Sequence, residues 1–408
     1  MDDRTVHTIA DPGSAWSTLD GALPLTAAEV IQVELPFLTP VDTALGTHRR
    51  RPLVLVRLTG RRPDGGTVVG WGECAALADS SYDAEDAERA YATLAQELVP
   101  RVLAMACEEG TLPSVGRLGC IAEDGRWPLA FAALEMAVGD AHLRSRGRSF
   151  ASLLGVGQDP MVTGAVLGVP RSPDQLTADL VRLRTAGYAR VKVKIAPGVE
   201  EIVGRAVRAV HGDGLPVQVD ANGSYGVNAA DRLRVLDDLG LLCVEQPLPR
   251  YDLAGHRRLA TRIATPICLD ESLDSPARVV EAVEAGACAV VCVKPARLGG
   301  IGAALRVIAW CTVRDVPWWI GGMFESGFAR GVNRVLASLP GPSFPGDLAP
   351  PSTYLGADLV ESVPGLVDPV SGRLTVPLPA GPGLGPAPDP GIVGSRTVRR
   401  TTWPATSE

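Results

Sequence analysis

The chain has no C-x-x-C pair, no apolar run approaching the length of a membrane span, and no stretch of lysine or arginine interleaved with aromatic residues. Without the first, its eight cysteines read as free thiols. Cys243, Cys268 and Cys292 sit inside apolar, strand-like runs where a small buried thiol packs well. A reducing cytoplasm is therefore the expected compartment. The second absence excludes a membrane-spanning helix. The third, with a net charge of −7, excludes nucleic acid as a main partner. Arg49–Arg51 reads as an isolated, solvated cluster. The first residues, Met1-Asp2-Asp3-Arg4, are acidic and lead into no apolar segment, so no secretory signal is expected.

What is present is enough apolar sequence for a large core. Of 408 residues, 46% are hydrophobic, which allows two domains or one large α/β barrel with additions. Residues 1–28 show weak periodicity and read as a partly disordered extension. Three β-like runs follow, Val30–Leu35, Leu53–Leu58 and Thr67–Glu73, with Asp64-Gly65-Gly66 as a turn between the last two. Helical stretches over 84–106 and 129–145 complete a small α+β unit spanning about 29–150. From about residue 160 short β-branched runs alternate with amphipathic helical stretches. The strands expected are Val162–Gly168, Val191–Ile195, Val217–Asp220, Cys243–Glu245, Ile267–Asp270, Val290–Lys294 and Trp318–Gly321. Parallel strands buried on both faces read as such runs, and seven units point to a (β/α) barrel over 151–345. A Pro- and Gly-rich segment covers 346–390, and 391–408 reads as a flexible tail.

Polar residues close five successive strands: Lys194, Asp220, Glu245, Asp270 and Lys294. They are separated by 26, 25, 25 and 24 residues, about one βα unit each. Side chains at the C-terminal ends of parallel barrel strands meet at one mouth. Three carboxylates gathered there repel strongly unless a cation sits among them. Oxygen donors suit Mg²⁺ or Mn²⁺. None of the five histidines (His7, His48, His142, His211, His256) ends a strand, which argues against zinc. Lys194 and Lys294 flank the carboxylates, and Lys192 shares a strand face with Lys194, placed to orient a substrate carboxylate or to tune Lys194.

That arrangement suits removal of a proton beside a carboxylate. The product is an enediolate, and a divalent ion on its oxygens stabilises the added charge. A lysine takes the proton. With two lysines on opposite faces the proton can return to the other face, which is racemisation. With a leaving group β to the carboxylate, the same intermediate eliminates it.

The motifs V-K-V-K-I-A-P-G (191–198), V-D-A-N (219–222), V-E-Q-P-L (244–248), L-D-E-S (269–272), V-K-P-A-R-L-G-G (293–300) and G-G-M-F-E-S-G (321–327) resemble the enolase superfamily. So do A-L-E-M-A-V-G-D (133–140) and G-W-G-E-C (70–74). Within it the chain is similar to the o-succinylbenzoate synthase / N-succinylamino acid racemase group of the muconate-cycloisomerase-like branch. The resemblance runs from about residue 30 to 390. It implies a modified TIM barrel, (β/α)7β, under an N-terminal α+β capping domain, with the C-terminal segment returning to the cap. It implies Asp220, Glu245 and Asp270 as metal ligands and Lys194 and Lys294 as the catalytic lysines. Specificity would come from cap loops at 36–47 and 75–83, the second carrying Tyr82. Arg297 matches the subgroup in which synthase and racemase activities occur together. Asn222 and Glu271 are expected to support the ligands, and Gly322, Met323, Phe324, Glu325 and Ser326 to line the pocket. A small-molecule carboxylate substrate and a homo-oligomer are also implied.

The chain departs from the family pattern at Ser80, where a proline is usual, and at Phe324, where a smaller aliphatic residue is common. Residues 1–28 have no family counterpart. The activities left open are o-succinylbenzoate synthesis, with or without racemisation of N-succinyl or other N-acyl amino acids, in menaquinone synthesis or elsewhere; a dedicated N-acylamino acid racemase; a muconate cycloisomerase or dipeptide epimerase; and an inactive barrel used for binding.

Overall fold

The computed structural model describes residues 12–404 apart from 44–45, 122–125, 211, 213 and 227. Met1–Arg4, His7, His211 and the last four residues lie outside that set.

The cap is a four-stranded antiparallel sheet of β1 (Leu25–Thr43), β2 (Gly46–Arg61) and β3 (Thr67–Cys74), joined at the edge of β1 by a strand from the end of the chain. Expected as two strands with a loop at 36–47, β1 and β2 form one long hairpin that pairs Leu35 with Arg51 and, past a bulge, Val41 with His48. The helix Pro128–Ser145 crosses β3 closely. A Cβ at Gly72 would lie 1.8 Å from the Ala133 carbonyl and one at Gly70 2.4 Å from that of Ala137. The glycines of G-W-G-E-C are thus dictated by a helix backbone lying on the strand.

The barrel begins after β4 (Met161–Val162), which joins a small side sheet. Its seven parallel strands are β5 (Gly164–Leu167), β6 (Arg190–Lys194), β7 (Val217–Asp220), β8 (Val244–Glu245), β9 (Ile267–Leu269), β10 (Val290–Val293) and β11 (Trp318–Ile320). They hydrogen-bond in sequence order. The gap between β11 and β5 is filled by residues 342–346: Trp318 N donates to Pro342 O at 3.0 Å, Phe344 N to Trp318 O at 2.9 Å and Gly164 N to Gly346 O at 2.8 Å. This Pro- and Gly-rich stretch stands in the eighth strand position, giving the (β/α)7β barrel.

The side sheet is completed by β12 (Leu366–Val367) and β13 (Leu374–Val376). The segment expected as a flexible tail is instead a helix, Pro390–Arg396, and β14 (Thr397–Trp403), which pairs with β1 from Ala28↔Trp403 to Val33↔Thr397. The described part of the N-terminal extension is also built in. Its helix Pro12–Ser17 buries Trp16 completely; the indole meets Phe150 edge-on at 5.4 Å and donates Nε1–H to Glu135 at 3.1 Å. Arg51, read as solvated, is 1% exposed, because five carbonyls surround it. Among the described residues no helix is long and apolar enough to cross a membrane.

Candidate active site

Sheet register brings the charged strand ends side by side: Lys194 opposite Asp220, and Asp220 opposite Glu245. Lys194 Nζ donates to Asp220 Oδ2 and to Asn222 Oδ1, both at 2.6 Å. Across the mouth, Lys294 Nζ donates to Asp270 Oδ2 at 2.9 Å and to the Tyr82 hydroxyl at 2.6 Å. That hydroxyl is 3.1 Å from Asp270 Oδ2. Arg297 lies behind, with NH1 2.6 Å from Asp270 Oδ1. The two lysines therefore stand on opposite sides of the carboxylate row, and the cap loop places Tyr82 over one of them.

Lys192 lies one layer deeper. Its Nζ is 2.7 Å from Asp347, 3.3 Å from Glu245 and 3.4 Å from Asp220, and it sits 4.9 Å from the centre of the Trp319 ring. Glu245 also accepts from Gln218 Nε2 at 2.7 Å. Asn222, at a left-handed φ of 42°, donates to Glu271 at 2.8 Å. Gln246 and Phe324 share that backbone region, with φ of 37° and 56°, so three non-glycine residues at the mouth hold strained conformations.

Burial dominates the electrostatics. It pushes the Glu245 carboxyl up to about 8, with Asp220 adding to the shift. Burial acts the same way on Asp270, but Arg297, Lys294 and Lys192 outweigh it and hold that carboxyl well below the usual range. Burial would depress Lys294, yet Asp270 and Tyr82 raise it well above an ordinary lysine. A charge on Glu245 is thus one its neighbours do not fully compensate, and the group resists ionising without a further cation. Three buried carboxylates offering only oxygen, one of them under-compensated, fit a hard divalent cation. Among the described residues, the ligand atoms that converge within 4.8 Å come from Glu245, Asp270 and Cys292; Asp220 is drawn toward Lys194.

A wide cavity opens above these groups. Tyr82, Lys194, Asn222, Asp270, Lys294 and Phe324 line its inner part. Lys192, Glu271, Gly322 and Met323 line it as well, and Phe37 and His48 of the hairpin form part of its rim. Glu325 and Ser326, expected along the pocket, face away from it. Glu325 accepts from Met323 N at 2.8 Å and pairs with Arg330 at 2.8 Å, while Ser326 is fully buried against Glu73. They shape the 321–327 loop from behind.

Two residues with evident positions were not singled out from the sequence. Asp347 closes the eighth strand position, and the spacing pointed to it, since Gly321 follows Lys294 by 27 residues and Asp347 follows Gly321 by 26. Arg51 gave no comparable signal, because its partners are backbone carbonyls, four of the five distant in sequence.

Residues 26–155 match the family described as Mandelate racemase / muconate lactonizing enzyme, N-terminal domain, and residues 175–392 match Enolase C-terminal domain-like. The chain is 39% identical over 376 residues to an N-succinylamino acid racemase of Amycolatopsis, covering 92% of this chain and 98% of that relative. It is 37% identical over 330 residues to an o-succinylbenzoate synthase of Geobacillus stearothermophilus, covering 81% of this chain and 85% of the relative. Among solved structures it is similar to a probable mandelate racemase of Alicyclobacillus acidocaldarius, with a TM-score of 0.84 and 32% identity over 93% of this chain and 98% of the other.

Proposed function

The chain belongs to the mandelate racemase / muconate lactonizing enzyme family of enolase-like proteins, and from that premise we propose that it removes a proton α to a carboxylate, forming o-succinylbenzoate by syn dehydration and racemising N-succinylamino acids in the same pocket. The observation that carries the reading is the placement of Lys194 and Lys294 on opposite sides of a row of buried carboxylates.

Asp220, Glu245 and Asp270 are the residues we assign to hold a divalent cation, magnesium or manganese. When bound, such an ion supplies Lewis-acid stabilisation of the charge that develops on the substrate carboxylate. Lys194, paired with Asn222 and Asp220, acts as base on one face. In dehydration the C–H electron pair becomes the new double bond, the β C–O bond breaks, and the Lys194 ammonium returns its proton to the departing hydroxyl as water. Lys294 stays cationic on the other face and stabilises the enediolate. In racemisation one lysine takes the α proton and the opposite lysine delivers one. Tyr82 and the hairpin close the pocket against water, and Tyr82 holds Lys294 in register with Asp270.

Similarity to a racemase and a synthase, each above a third identical, supports these two activities over muconate cycloisomerisation or dipeptide epimerisation. The presence of both lysines and all three acids speaks against an inactive binding barrel. Eight free cysteines, six of them buried, support a reducing cytoplasm, and a place in menaquinone synthesis follows if the dehydration is the physiological reaction. The test is incubation with the synthase substrate and with each enantiomer of an N-succinylamino acid in deuterated water, with magnesium and with EDTA. Magnesium-dependent product and α-deuterium incorporation are expected. Absence of α exchange with every substrate overturns the reading. In the Lys294→Arg variant, exchange confined to one enantiomer marks the two-base route.

A further inference from the structure

Directly beneath the carboxylates the barrel interior carries three thiols on three adjacent strands, Cys243, Cys268 and Cys292, each two residues before Glu245, Asp270 and Lys294. All three are fully buried around Trp319. Period-two alternation along a strand puts residues i and i+2 on one face, so this sulfur layer underlies the charged one. The bland reading, small apolar filling, accounts for Cys268 and Cys243. Cys268 Sγ accepts from Trp319 Nε1 at 3.4 Å and lies 3.8 Å from Leu269 O, and Cys243 is its hydrogen-bonded neighbour.

Cys292 differs. Its thiol makes no hydrogen bond among the described residues, it is 0% exposed, and its sulfur lies within 4.8 Å of carboxylate oxygens of both Glu245 and Asp270. Donor atoms that close together on three adjacent strands come within reach of one ion after small shifts of their side chains. Two oxygens and one sulfur make a borderline-soft set, which favours zinc or cadmium over magnesium.

We propose that Glu245, Asp270 and Cys292 form a second, sulfur-containing cation site, one layer below the hard-cation position, that takes thiophilic divalent ions of the zinc and cadmium class. As the metal–sulfur bond forms, the Cys292 thiol passes its proton to a water of the ion's hydration shell, which leaves with it, and the entering ion competes with the Lys192 ammonium for Glu245. Because Glu245 and Asp270 also belong to the magnesium set proposed above, occupation of the lower site empties the upper one. Zinc-class ions then inhibit the magnesium enzyme. The proposal shares two ligands with the functional reading but does not depend on which reaction the pocket performs.

The test uses the full chain carrying Cys107→Ser and Cys120→Ser, which removes the two exposed thiols. Cadmium is titrated in the absence of magnesium and followed by the sulfur-to-cadmium charge-transfer band. X-ray absorption of the one-to-one complex reports the ligand shell. One sulfur with oxygen neighbours is expected, and the band should weaken as magnesium is added. Cys292→Ser should lower cadmium affinity by at least about tenfold while magnesium binding, read by calorimetry, persists. An all-oxygen shell, a shell of several sulfurs, or a band unchanged in Cys292→Ser overturns the proposal. Because the absorption measurement keeps Cys292 in place, it decides the matter even if the substitution disturbs the barrel. If instead magnesium fails to bind while cadmium binds with one sulfur, the hard-cation reading fails and this one stands.

Discussion

Arg51 of the cap hairpin donates to the carbonyl of Met323 at 2.9 Å, tying the cap to the barrel loop that borders the substrate cavity. The same guanidinium reaches Phe324 O at 3.1 Å, Ala76 O at 2.6 Å and Pro52 O at 2.9 Å, and also bonds Ala75 O. One buried cation thus fixes both loops from which the pocket walls rise, and it holds Phe324 in its left-handed conformation.

Arg51→Lys keeps the charge but cannot span that set of carbonyls with a single ammonium. We expect KM to rise roughly tenfold with a smaller change in kcat, as positioning of the substrate loosens by a fraction of an ångström. A lower melting temperature should accompany it, since buried acceptors lose their donors. Steady-state kinetics on either proposed substrate checks this, and an unchanged KM would show that the loop is held by other contacts.

Trp16 gives a stability prediction. Its ring fills the space between the cap helix and the helix Ile301–Val313, where a Cβ at Gly139 would come within 2.1 Å of the indole. Glu135, which accepts its N–H, also accepts from Gly302 N at 3.1 Å and Ile301 N at 2.5 Å, the open start of that barrel helix. Trp16→Ala should cost about 3–5 kcal/mol. Trp16→Phe, which loses the N–H donor and part of the ring, should cost less, about 1–2 kcal/mol. Urea unfolding of both variants checks the order and the size of the two losses.

These two residues also mark where the sequence stops being readable. The seven parallel strands are legible because burial on both faces leaves continuous β-branched runs, and the row from Lys194 to Lys294 is legible because one βα unit has a nearly constant length. Trp16 sits in a six-residue helix too short to show a period. Arg51 is neutral in pattern, since only the tertiary fold decides whether an arginine meets solvent or five carbonyls. The eighth strand position hid behind Pro345 and Gly346, whose composition signals a loop even though the backbone bridges both barrel edges. The closing strand β14 carries alternating exposure and few apolar residues, so it looks like a tail until β1 is there to pair with it.

Glu73 offers a pH test on a carboxyl that is not one of the three acids assigned to a metal. Burial pushes its carboxyl up to about 7, against hydrogen bonds from Ser326 that favour the charged form. Glu325 and Asp358 face it and add to the rise, while Arg51 lies on its other side. In the unfolded chain the group titrates at its ordinary value near 4.5. Between about 4.5 and 7 the native state therefore binds the extra proton, and this group's contribution to stability falls as pH rises through that window. Glu73→Gln mimics the neutral form at every pH. Its melting temperature relative to the parent should climb between pH 5 and 8. The difference between the two proteins is the useful readout, because other groups titrate in the same window: buried His142 and His256, both depressed by burial, contribute an opposite slope, and Glu85 and Glu135, both raised by burial to about 7, contribute the same one. A flat difference would mean Glu73 is ionised throughout.

Asp347 is placed to govern how strongly the proposed metal acids compete for a cation, through Lys192. Among three carboxylates around the Lys192 ammonium it is the nearest, at 2.7 Å against 3.3 Å for Glu245 and 3.4 Å for Asp220. It also pairs with Arg190 at 2.5 Å, so it is well held. Coulomb attraction scales inversely with distance, and at an effective dielectric constant of about 20 the nearer pair gains roughly 1 kcal/mol over the others. Asp347 thus draws Lys192 away from the two acids assigned to the metal. Replacing it with asparagine keeps the shape and removes that pull, and Lys192 then turns to Glu245 and Asp220 as a resident cation. The expected result for Asp347→Asn is a magnesium requirement raised about tenfold, with kcat at saturating magnesium largely kept. Some loss of stability is also expected, since Arg190 loses its charged partner. Measuring activity against magnesium concentration on protein shown to be folded by circular dichroism separates the two effects. An unaltered magnesium curve would mean that Lys192 does not compete for the metal acids, and that Asp347 serves only to close the barrel.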